Sequence, residues 1–137
     1  PSGTTSAGRS SETGGCSMRR DIDILRDIVK YCDIVNEAVE MFGSDEEDFL
    51  DNKVYQTSTA FSILQIGELV KRLSPELRDK FGDVTWRKIA GMRDMFAHQY
   101  HNVIPELQWK TITERVPELR VACLEIIGVL ESGDADE

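Results

Sequence analysis

Residues 21–43, DIDILRDIVKYCDIVNEAVEMFG, set the fold class of this 137-residue chain. Ile22, Leu25, Ile28/Val29, Cys32, Val35, Val39 and Phe42 recur every three or four positions, the period of a helix with one buried stripe. Gly43 supplies the stop. Beyond this helix the same period returns. After an acidic loop (Asp45, Glu46, Glu47, Asp48, Asp51), Asp51 is expected to cap a second helix. Its inward side would carry Val54, Tyr55, Ser58, Phe61, Ser62, Gln65, Ile66, Leu69 and Leu73. Ser74-Pro75 ends that helix and opens a short one, closed by Gly82. A third long helix is predicted from residue 85 or 86 to 98, with Trp86, Ile89, Met92 or Arg93, and Phe96 on its stripe. Residues 102–105 read as a loop, and 106–131 as a last helix broken or kinked at Pro117. No strand-like alternation and no internal repeat occurs, so an all-α antiparallel bundle of four or five helices is expected.

Residues 1–17 are mainly Ser, Gly and Thr, too poor in apolar surface to offset the entropy of ordering. They are expected to be a disordered leader ahead of a domain spanning 18–131, with an acidic tail at 132–137. The longest apolar run, 121–130, is interrupted by Glu125 and too short to cross a bilayer, so a soluble, cytoplasmic protein without membrane contact is expected. Cys16, Cys32 and Cys123 are odd in number and widely spaced, which indicates neither a disulfide framework nor a zinc site. Cys32 and Cys123 lie on apolar stripes and read as small core residues. No metal or cofactor is expected.

Net charge is −9, which by itself disfavours a nucleic-acid partner. Its distribution reverses that reading: nine acidic residues sit in the loop before the second helix and after Leu130, whereas residues 53–120 hold 11 basic and 8 acidic side chains. A phosphate-bearing partner fits this middle region. Within it, Arg93, Asp94, His98 and Tyr100 put a permanent cation, a carboxylate, an imidazole and a phenol within eight positions. Asp94 and His98 are one helical turn apart, so the carboxylate is expected to accept a hydrogen bond from the imidazole. Arg93 lies roughly 140° from His98 around an ideal helix. One helix therefore does not aim both at a single atom; convergence needs a frayed helix end or a second copy of the helix packed against the first, and the spacing hints at a dimeric site. Lys71, Arg72, Arg87 and Lys88 could track phosphates or form a solvated face, and His101 could assist RNA binding or simply be solvated. Trp86 and Trp109 read as packing residues and Glu68 as a surface residue near the cleft. Gly67, inside an apolar helix, implies close helix packing.

Together, Gln65-Ile66-Gly67-Glu68, Lys71-Arg72-Leu73, Phe81, the run Trp86-Arg87-Lys88-Ile89-Ala90-Gly91-Met92-Arg93-Asp94, His98-x-Tyr100, Trp109 and Val116-Pro117-Glu118-Leu119 resemble the HepT-type branch of the HEPN superfamily. These are toxins paired with minimal nucleotidyltransferase antitoxins. The resemblance implies a dimeric HEPN-like bundle in which two Arg-x4-His motifs meet in one cleft and act as a metal-independent ribonuclease. By position, Arg93 would stabilise the phosphate and His98 would move the proton, and the paired nucleotidyltransferase would transfer AMP to Tyr100. Asp94 stands where a polar residue, often Asn, is usual; an anion there would raise the pKa of His98 and oppose phosphate. A non-catalytic module that binds its nucleotidyltransferase or a nucleotide is the alternative.

Overall fold

The computed structural model describes the backbone of residues 2–99 and 104–136, and the side chains of 18–98 and 104–133. The long elements are α1 (Ser2–Phe42), α3 (Lys53–Arg72), α5 (Trp86–Gln99) and a final unit of α6 (Pro105–Lys110), a π turn (Thr111–Arg115) and α7 (Val116–Asp136). Two short helices, α2 (Glu46–Leu50) and α4 (Pro75–Lys80), join them, and no strand occurs among the described residues. The fold is all-α.

The period-3.6 stripe of α1 becomes the centre of the core: Leu25, Ile28, Cys32 and Val35 are fully buried. α1 runs antiparallel to α3, as the Asp21–Ser74 hydrogen bonds, the Tyr31–Phe61 ring contact and the Phe42–Tyr55 ring contact show in turn along it. It also runs antiparallel to α7, with an Arg26–Glu131 pair at one end and Arg120 Nε donating to Asp33 Oδ1 at 2.6 Å towards the other. Burial pushes the Cys32 and Cys123 thiols up to about 12, consistent with their reading as small core residues. The backbone of α1 is helical from Ser2, where composition predicts a disordered leader.

The loop expected after Gly43 differs in detail. Gly43 ends α1 with φ +124, and a Cβ there would meet the Asp48 carboxylate at 2.2 Å, so only glycine fits. The acidic stretch that follows is helical (α2), its first-turn acids complementing the helix dipole and Phe49 buried beneath it. Asn52, not Asp51, caps α3, its side chain accepting from Tyr55 N at 3.0 Å. The buried face of α3 also differs from the expected one, because packing against α1 and α5 selects it: Tyr55, Thr59, Ala60, Ile63, Ile66 and Val70 face inward, while Val54 and Phe61 remain 64% and 54% exposed. The buried amides Gln56 and Gln108 close the seam, Gln56 Nε2 donating to Phe49 O at 2.9 Å and Gln108 Nε2 to Gln56 O at 2.7 Å. Phe42, Phe49, Tyr55 and Trp109 stack around it, so Trp109 is a packing residue.

Pro105 belongs to a helix, at the first turn of α6, where its missing N–H is no loss. The disturbance expected at Pro117 is found one turn earlier. The π turn lets Val116 N donate to Thr111 O, and this wider register relieves the clash between the Pro117 ring and the carbonyl four residues back.

Candidate active site

α5 begins where Trp86 Nε1 donates to Phe81 O at 3.0 Å, and Ile89 and Phe96 are buried along it. It crosses α3 at Gly67. A Cβ on Gly67 would lie 2.2 Å from Arg93 Cβ and 3.2 Å from Arg93 Cα, so the two backbones approach closely there. Glycine at 67 thus seats Arg93, which fulfils the expectation of close packing and identifies its partner. The Arg93 side chain leaves the crossing 29% exposed.

Around its guanidinium lies a four-charge cluster. Arg93 Nη1 donates to Asp94 Oδ1 at 3.2 Å, and Lys71 Nζ donates to the same oxygen at 2.6 Å. Arg93 Nη2 lies 3.7 Å from Glu68 Oε1. The hydrogen bond from Lys71, seconded by that from Arg93, holds the Asp94 carboxyl below its ordinary value. Sequence reasoning paired Asp94 with His98, and that expectation is corrected. Among the described residues the partners of Asp94 are Lys71 and Arg93, because α3 brings the Lys71 ammonium to the carboxylate from across the helix crossing and Arg93 donates from the adjacent position on α5. The pairing of Lys71 with Asp94, 23 residues apart, left no mark in local spacing.

His98 is exposed on the last turn of α5 and forms no hydrogen bond among the described residues. Tyr100 and His101 lie outside the described residues. Arg72 is exposed on the last turn of α3, next to Lys71. Arg87 and Lys88 are exposed at the start of α5, and Lys88 lines a separate cavity of about 410 Å³ between α5 and the π turn, together with Thr111 and Arg115. Among the described residues no three His, Cys, Asp or Glu side chains are grouped to hold a metal ion, and no helix is long and apolar enough to cross a membrane. What the arrangement offers chemically is a partly exposed guanidinium and an exposed imidazole on α5 with an ammonium reaching over from α3, groups suited to an anionic substrate that needs proton transfer.

Comparison with known proteins follows the same line. The ribonuclease HepT-like family description matches residues 22–126. A protein of Caldanaerobacter subterraneus subsp. tengcongensis, named provisionally as an RNase, is 38% identical over 110 residues, covering 80% of this chain and 96% of the relative. Another provisionally named RNase, from Methanocaldococcus jannaschii, is 35% identical over 115 residues, covering 82% and 97%. The probable ribonuclease HepT of Thermococcus cleftensis is 31% identical over 98 residues, covering 72% and 87%. No solved structure matches the chain.

Proposed function

The chain belongs to the HepT-like ribonuclease family, and from that premise we propose that it is a metal-independent endoribonuclease whose working groups are Arg93 and His98. The observation that carries this reading is the pair itself: an arginine seated by Gly67 at the helix crossing, and an exposed imidazole five residues on along α5. In the proposed reaction His98 removes the proton from a 2′-hydroxyl, and that oxygen attacks the adjacent phosphorus. The 5′-oxygen leaves with a proton from a second imidazole, and a 2′,3′-cyclic phosphate remains. Arg93 offsets the charge that grows on the phosphoryl oxygens. One histidine cannot readily serve both proton transfers, so the active form is a homodimer with two motifs facing one cleft. The apolar side chains left exposed on α1 and α3, Ile34, Met41, Val54 and Phe61, support association with a second copy.

In this reading the protein is the toxin of a toxin–antitoxin pair, and a cognate minimal nucleotidyltransferase silences it by adenylating Tyr100. AMP on that tyrosine would bring bulk and negative charge into a cleft that has to accept RNA phosphate. Mass spectrometry after co-expression with such a partner should find the adenylate on Tyr100. The grip of Asp94 on both Arg93 and Lys71 favours the second reading, a non-catalytic partner of the nucleotidyltransferase. Assay of RNA cleavage separates the two. His98→Ala and Arg93→Ala should each lower the rate by at least ~10²-fold. EDTA should have no effect, and DNA should resist. Full activity in His98→Ala would remove the imidazole from the mechanism.

A further inference from the structure

Where α3 hands over to α4, a buried carboxylate holds the corner. Asp21 of α1 accepts from Ser74 N at 3.0 Å and from Ser74 Oγ at 2.6 Å, and Ser74 Oγ in turn accepts from Leu77 N at 3.2 Å. Around this corner opens a recess of about 460 Å³ walled by Arg20, Lys71, Arg72 and Arg78. Two acids share the lining, Asp21 and Glu76, and both carboxylate oxygens of Asp21 are already engaged by Ser74. Among the described residues Arg20, Arg72 and Arg78 form no ion pair. Arg78 also keeps its Nε enclosed without an acceptor, a state that buried polar atoms seldom tolerate. The lining carries four cations and two carboxylates, and with Lys71 held by Asp94 it leaves three guanidinium groups without an ion pair, which runs against the grain of a chain whose net charge is −9. Such a wall is stabilised when an anion of matching geometry enters, and a phosphate presents to an arginine the oxygen pair that its fork accepts.

The recess is joined to the candidate active site by one side chain. Lys71 lines it, and the Lys71 ammonium contacts the Asp94 oxygen that also accepts from Arg93. We propose that the recess binds a phosphodiester of the RNA strand beyond the scissile bond, with Arg20, Arg72 and Arg78 as its cationic wall and Lys71 as the link to Arg93. The proposal rests on the ribonuclease reading for the identity of the strand. It makes the recess a positioning subsite: contacts to backbone phosphate set register on the strand without reading its sequence. Arg20 reaches it from α1 and Arg78 from α4, so the subsite exists only when three helices meet.

The test uses the full chain and a single-stranded 2′-deoxy dodecamer, which has the phosphates but lacks the attacking hydroxyl. Binding is measured against salt for the wild type and the double variant R20Q/R72Q, with circular dichroism as the check on folding. Affinity should fall about tenfold, and the slope of log K against log salt should shrink by about 0.7 for each phosphate that the variant no longer neutralises. Lys110→Gln removes one cation from α6, which packs near the start of α3, and should weaken binding by less than about twofold if the effect is local. With RNA, the ratio of kcat/KM on a dodecamer to that on a dinucleotide should fall about tenfold in R20Q/R72Q, because the dinucleotide carries no phosphate beyond the scissile one. Unchanged affinity and slope in R20Q/R72Q, or an equal loss in Lys110→Gln, would overturn the subsite. A wild type that binds as expected but cleaves neither RNA would instead overturn the ribonuclease reading, leaving the anion site supported by the binding data.

Discussion

Asp94 sits where its charge bears most directly on substrate binding. Its carboxylate is 51% exposed yet bonded to Lys71 and Arg93, and these bonds keep it ionised below the ordinary carboxylate range. The folded-state value is depressed, so the pairs are fully present above the unfolded-state value and are lost only as pH falls through the lowered one. At neutral pH an incoming phosphate must therefore compete with Asp94 for both cations. Asp94→Asn removes the charge and keeps the shape. RNA affinity should rise several-fold at low salt, with cleavage retained or improved. Because His98 makes no bond to Asp94, the pH optimum should move little, which departs from what spacing along the helix suggests. A collapse of cleavage with unchanged RNA affinity would show that the carboxylate positions Arg93 for the reaction.

Among the elements, the crossing of α3 over α5 determines where Arg93 stands. Gly67→Ala would put a methyl group 2.2 Å from Arg93 Cβ, a distance that side-chain rotation cannot relieve because Cβ is fixed to the backbone. The helices would have to separate, which should cost about 1–3 kcal/mol of stability. Cleavage should fall further than the melting shift explains, since a guanidinium displaced by even ~1 Å meets the phosphate badly. Arg93→Gly placed beside Gly67→Ala should restore the melting temperature but not the activity. Recovery of activity in that double variant would detach Arg93 from catalysis. The π turn before Pro117 is a second case of one element shaped by a single residue. The proline signals a disturbance, but its location one turn upstream follows from the carbonyl with which the ring would collide.

For the whole molecule, the expectation is a homodimer. Sedimentation at micromolar concentration should show twice the chain mass. Phe61→Asp, on the exposed part of α3, should give a folded monomer with cleavage reduced at least ~10²-fold, because each half-site would lose its second imidazole. A fully active monomer would refute the shared cleft. The helical class, the stripes of α1 and α5, the stop at Gly43 and the cap at Ser74 were all legible in the sequence, because these depend on spacing within one helix and on the chemistry of single residues. Packing in three dimensions was needed to show that α3 leaves Phe61 in solvent, that Asp94 turns to Lys71, and that Arg20 and Arg78 join Lys71 and Arg72 in one recess. The reason is physical: Arg20 and Arg78 sit 58 residues apart, and what joins them is the packing of α1 against the junction of α3 and α4, held by Asp21 on Ser74. Local periodicity is blind to contacts between distant segments, and the charges of a binding surface are assembled from such contacts.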